Sequence, residues 1–206
     1  MDHASCADAF AFIGNSLLKP MSQTETVGLD PAFWEAFPDF GDQDVRTALD
    51  ACAAFASGAQ ARAAAGEDMV QQVSVEHTRL FVGPPSPAAP PWETMGREAA
   101  ATVGFGEPTV AMQSVLRGMG LEVSNENNQY ADHMGIELLA LAEMMRRVSA
   151  DMMDEAEMRS FIQAHPGGWV DRLHSSVQAS APGGYFDALL GLAEALLTAV
   201  GSLREI

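Results

Sequence analysis

Apolar residues recur three and four apart along nearly all of this 206-residue chain, and Gly/Pro clusters cut the pattern into helix-length pieces. From Asp42 the run Val45, Ala48, Leu49, Cys52, Ala53 and Ala56 follows one helical face, with Gly58 as its expected stop. Past Gly66, Met69, Val70, Val73, His77, Leu80 and Phe81 form a second stripe, ended by Gly83-Pro84-Pro85. Pro108 suits a first helical position ahead of Met112, Val115, Leu116 and Met119. The longest helix is predicted over about 126–149, and it is largely buried because apolar residues occupy more than one face. Asp154 and Glu157 have capping-box spacing before Met158, Phe161 and Ile162. Breaks at 165–168 and 181–184 set off two more helices, one through Trp169, Val170, Leu173 and Val177 and one from Phe186 to Val200. Strand alternation and Asn-Gly hairpins are absent. The pattern predicts an all-α chain, a single globular helical-bundle domain.

Two stretches break the helical text. Residues 83–97 (GPPSPAAPPWETMGR) carry five prolines before Trp92, which predicts extended, polyproline-like backbone and a helix start near Pro91. Residues 120–129 (GLEVSNENNQ) are polar and Asn-rich, as suits a connector. The expected organisation is an N-terminal half over about 1–120, a hinge over about 121–131 and a C-terminal half over about 132–206.

Charge narrows the function. Twenty-eight acidic residues oppose eleven basic ones, a formal net charge of −17. No basic stripe exists to neutralise phosphates, so general nucleic-acid binding is excluded, and an anionic membrane surface is an equally poor partner. At 48% apolar and 19% charged, the chain is a folding sequence rather than a disordered one. Cys6 and Cys52 lie in Ala- and Phe-rich helical text without zinc-ligand spacing, so no structural metal is expected. The N-terminus has no basic region of the secretory type, and no apolar run approaches the ~20 residues of a membrane span, so the expected compartment is the cytoplasm.

Three constellations could carry chemistry. Glu76, His77 and Glu93 could serve as an acid/base group, or His77 could be a partly buried histidine on an apolar stripe. His133 and Glu137, spaced i and i+4, could donate two metal ligands with His77 as a third, the basis of a metal-dependent enzyme; alternatively His133 hydrogen-bonds Glu137 at a helix start. A carboxylate at Glu137, in an apolar stripe, must be paired or protonated. Twelve methionines either fill the core or line a peptide groove, and Trp92, between prolines and an acid, either packs or lines such a surface. Phosphate loops and nucleophile elbows are missing. Binding is favoured over catalysis, with no cofactor; a generic acidic helical adaptor is a further reading.

The segments Glu76-His-Thr-Arg-Leu-Phe-Val-Gly-Pro84, Ala89-Pro-Pro-Trp-Glu93 and Asp132-His-x-x-x-Glu-Leu138 together resemble the TorD/DmsD family of redox-enzyme maturation chaperones, related to NarJ. The resemblance runs in register from about 67 to 147. It implies an all-helical chaperone that binds the twin-arginine leader of a molybdopterin oxidoreductase's catalytic subunit. Such a chaperone holds the apo-enzyme for cofactor insertion and prevents premature export by the Tat system; it exists as a monomer or a domain-swapped dimer. The positions matching the family's leader-binding motifs are Leu80, Phe81, Gly83, Pro84, Pro90, Pro91, Trp92, Glu93, Asp132 and His133. Leader guanidinium groups want carboxylates, for which Glu93, Asp132 and Glu126 are candidates; the apolar stretch wants Trp92, Phe81 and Leu80. Two positions depart from the family pattern. Gly96 stands where an aromatic is usual, and Ala131 where proline is.

Overall fold

The computed structural model describes residues 2–98, 101–123 and 129–202. Among these residues helices dominate and no strand occurs. They run α1 (His3–Leu18), α2 (Pro31–Ala36), α3 (Gln43–Ala64), α4 (Met69–His77), α5 (Glu93–Arg97), α6 (Glu107–Gly118), α7 (Met134–Ser149), α8 (Glu155–Ala164), α9 (Val170–Ser180) and α10 (Tyr185–Gly201). Aspartates begin five of them. Asp2, Asp30, Asp42, Asp68 and Asp154 accept from the otherwise orphaned first-turn N–H groups of α1, α2, α3, α4 and α8.

The core is built on two helix pairs that span the chain. α1 lies along α7, and α3 lies along α10. α1 and α7 approach closely because Gly14 faces Gly135: a Cβ on Gly14 would sit 2.8 Å from the Gly135 carbonyl oxygen, and one on Gly135 would sit 2.7 Å from that of Gly14. One hydrophobic core, including Phe10, Ile13, Leu138, Leu141, Phe186 and Leu189, serves helices from both sides of residues 121–131. The connector expected there lies partly outside the described residues, as does Glu126. No helix among the described residues is long and apolar enough to cross a membrane.

Several boundaries differ from the sequence reading. α3 runs through Gly58 to Ala64, since Gly58 faces open solvent on an alanine-rich helix and costs it only about 1 kcal/mol. The second stripe does not stay α-helical: Thr78–Val82 form a π-helical turn, closed at Gly83, whose φ of 101° only glycine adopts freely. Among the described residues the longest predicted helix starts at Met134, where residues 132–134 pair with 91–93 of the proline segment. Met112, Met119, Met134, Met144 and Met145 are buried, so these methionines fill the core rather than line a groove.

Gly14→Ala should lower stability by about 2 kcal/mol, since the α1–α7 backbones must separate, whereas Gly58→Ala should raise it by ~0.5–1 kcal/mol. Urea midpoints of the two variants check both signs.

Candidate functional site

Two distant pieces of chain meet as a short antiparallel pair. Trp92 and His133 form its bridge. The Glu93 N–H donates to the Asp132 carbonyl and the Met134 N–H to that of Pro91, each at 2.8 Å. The helix start expected at Pro91 is therefore displaced to Glu93, since Pro91 supplies a carbonyl to α7 rather than a first turn to α5.

Asp132 locks this junction. Its Oδ2 accepts from the Thr94 N–H (3.0 Å) and the Thr94 hydroxyl (2.7 Å), and its Oδ1 accepts from the Thr109 hydroxyl (2.9 Å). Trp92 has no side chain that can cap α5, so a carboxylate 38 residues away does so. The same group ties in the start of α6 through Thr109. Asp132 and Thr109 are fully buried. His133 caps α7, its Nδ1 accepting the Gly135 N–H at 3.0 Å. That bond makes Nδ1 an acceptor and leaves the imidazole neutral. Burial holds His133 at a pKa of about 3, and the neighbouring His77 adds to the effect. His77, with Nε2 3.0 Å from the Leu17 carbonyl, is likewise pushed down by burial.

Behind the junction lies a buried cluster. Glu93 Oε1 accepts from Arg97 Nε at 2.5 Å, and Glu93 Oε2 lies 2.9 Å from His165 Nδ1. Glu137 Oε2 accepts from the Trp169 indole N–H at 2.9 Å. Burial pushes Glu137 well above the ordinary carboxylate range, and the adjacent Glu93 carboxylate reinforces that. For Glu93, burial acts upward too, but the hydrogen bond and charge of His165, with Arg97, outweigh it and hold the carboxyl below its usual value. The requirement that Glu137 be paired or protonated is met. The expected His133–Glu137 hydrogen bond is not formed, because His133 turns to its own helix N-terminus and Glu137 to Trp169. His77, His133 and Glu137 also do not make a ligand set among the described residues; Glu137 groups with Glu93 and His165 instead.

Outward from Trp92 runs an aromatic row. Trp92 and Tyr130 lie 6.2 Å apart by ring centroids, and Tyr130 and Phe105 5.7 Å apart, all edge-on. Phe105 is 51% exposed and Tyr130 39%, while Trp92 is half-buried with an indole N–H that has no partner among the described residues. Next along the chain, Gln129 borders an apolar cleft of about 350 Å³ walled by Leu18, Leu116, Leu121, Val123, Ile136 and Leu139.

The motif residues thus divide. Pro84 is exposed and Pro90 and Trp92 are half-buried; Leu80, Phe81, Gly83, Pro91, Glu93, Asp132 and His133 are buried. Leu80 and Phe81 belong to the core, with Phe81 edge-on to Phe186 at 5.1 Å. Glu93 and Asp132 spend their oxygens on internal donors. The missing aromatic at Gly96 is made good from elsewhere: the Trp169 ring covers Gly96, where a Cβ would come within 2.4 Å of it. Thr94, Thr109, His165 and Trp169 were not foreseen as part of the site. His165 and Trp169 flank a His-Pro-Gly-Gly break, which reads only as punctuation until the chain is folded.

A family model described as nitrate reductase delta subunit matches residues 41–175, and the chain belongs to that family, the NarJ/TorD-like group that the motifs resemble. Among individual relatives, the Tat proofreading chaperone DmsD of Salmonella typhi is 33% identical over 64 residues, 31% of each chain. The DmsD of Salmonella typhimurium matches to the same extent. These alignments span less than a third of the relatives' length.

Both buried imidazoles are neutral when folded and take protons near pH ~6.5 when unfolded. Their contribution to stability is complete above that pH and drains away as the pH falls toward the folded value, about 3 for His133. His133→Asn keeps a capping acceptor without a titrating group. Between pH 7 and 5 the wild type should lose about 2 kcal/mol more than this variant in urea titrations.

Proposed function

We propose that the protein is a cytoplasmic, system-specific chaperone for a molybdopterin oxidoreductase. It binds the twin-arginine leader and the apo form of the catalytic subunit, assists cofactor insertion and prevents premature Tat export. It acts by binding and not by catalysis, and carries no cofactor for this task. The observation that carries the reading is the family match over 41–175, which contains both motif segments brought together at Trp92 and His133. The likeness to relatives named Tat proofreading chaperones supports the choice of leader.

In this reading the motif residues have two tasks. Trp92, with Pro84, Pro90 and the newly found Tyr130 and Phe105, forms the contact face. Leu80, Phe81, Gly83, Pro91, Glu93, Asp132 and His133 hold that face in place. Buried and already bonded, Glu93 and Asp132 cannot take a guanidinium without opening the junction. The leader arginines are instead drawn by the chain's negative field, stack on the exposed aromatic faces and meet the exposed acids Glu98 and Glu107. The leader's apolar stretch packs into the cleft beside Gln129.

A labelled synthetic leader from a molybdopterin oxidoreductase encoded beside this gene should bind saturably by fluorescence anisotropy. Binding should weaken with salt and on replacing both arginines by lysine. Trp92→Ala should cost about tenfold or more in affinity, on the order of 2 kcal/mol. Absence of saturable binding to any such leader would sink the reading, and full binding by Trp92→Ala would move the contact face elsewhere.

A further inference from the structure

The cluster behind the junction has a geometry that helix packing does not require. Glu93 at the start of α5, Glu137 in the first turn of α7 and His165 just after α8 each offer one ligand atom, and these atoms lie within 4.8 Å of one another. Each carboxylate is held by one oxygen through a neutral or cationic donor: Glu93 Oε1 by Arg97 and Glu137 Oε2 by Trp169. Outer-shell donors of this kind orient carboxylate ligands in metal sites. That leaves Glu93 Oε2, close to His165 Nδ1, and Glu137 Oε1, which has no hydrogen-bond partner although Glu137 is fully buried.

We propose that Glu93, Glu137 and His165 form a binding site for one Zn²⁺ ion. An imidazole nitrogen with two carboxylate oxygens is a ligand set zinc accepts, and three protein ligands leave one position for water. Among the first-row ions, zinc binds such nitrogen and oxygen donors more tightly than manganese or iron(II). Access is from the side of His165, whose side chain retains 12% of its exposure, while Glu93 and Glu137 are sealed. The ion would join α5, α7 and the turn after α8, the elements on which the Trp92 face rests. Its function is to brace that face, with no reaction assigned to it.

The test uses tag-free, full-length protein stripped with a chelator and then exposed to Zn²⁺, or to Co²⁺ as a spectroscopic stand-in. Elemental analysis after gel filtration should find one zinc per chain, and Co²⁺ should give visible d–d absorption displaced by Zn²⁺. Glu137→Gln and His165→Ala should each weaken zinc binding by about tenfold to a hundredfold. His165→Ala removes a partly exposed side chain, and circular dichroism should show it folded as the wild type is. His174→Gln, a histidine held between Asp187 and Glu194 on α9 and α10, should bind zinc as the wild type does. Failure of the folded wild-type protein to hold stoichiometric zinc would overturn the proposal. Zinc binding that both cluster variants retain would overturn it equally, by placing the metal on surface carboxylates.

Discussion

Three hydrogen bonds to one carboxylate organise the junction between the motif segments. Asp132 is buried, and all its donors come from elements distant in sequence: the backbone and hydroxyl of Thr94 and the hydroxyl of Thr109. A buried carboxylate without hydrogen-bond partners would carry a penalty of several kcal/mol, so its burial holds α5, α6 and the entry to α7 together. The backbone exchange between residues 91–93 and 132–134 follows from that meeting, and so does the position of Trp92. The proline segment, too stiff to be helix and too irregular to be sheet, is thereby fixed at one end by the π-helical turn and Gly83 and at the other by Asp132.

The large negative charge has more than one use. Five aspartates cap helices, where the exposed N–H groups and the helix dipole favour them. Glu93, Asp132 and Glu137 are internal and bonded. What remains is a net negative surface charge. The row Trp92, Tyr130, Phe105 is where exposed aromatic area lies next to the motif segments.

Local patterns were legible because they depend on neighbours along the chain. The helical class, the Asp154 cap and the buried face of α7 all follow from spacing of three and four. Long-range events were not. Nothing near Asp132 says that residues 132–134 pair with 91–93, since that partner lies some forty residues away. Glu137 was recognisable as a buried acid needing a partner, but Trp169 and Glu93 could not be named from periodicity. The division of the motif residues into exposed, half-buried and buried positions appears only with burial in hand. The conspicuous gap at Gly96 is closed by a tryptophan 73 positions later.

Each of the three tryptophans reports a different part of this account. The Trp34 indole N–H donates to the Gly28 carbonyl, that of Trp169 to Glu137, and that of Trp92 to no described residue. The most direct measurement is the indole region of an NMR spectrum of ¹⁵N-tryptophan-labelled protein, titrated with a twin-arginine leader peptide. A leader seated on the Trp92 face shifts the Trp92 indole resonance in proportion to occupancy and leaves that of Trp34 in place. Saturation of the protein with leader while the Trp92 signal stays fixed would contradict the account.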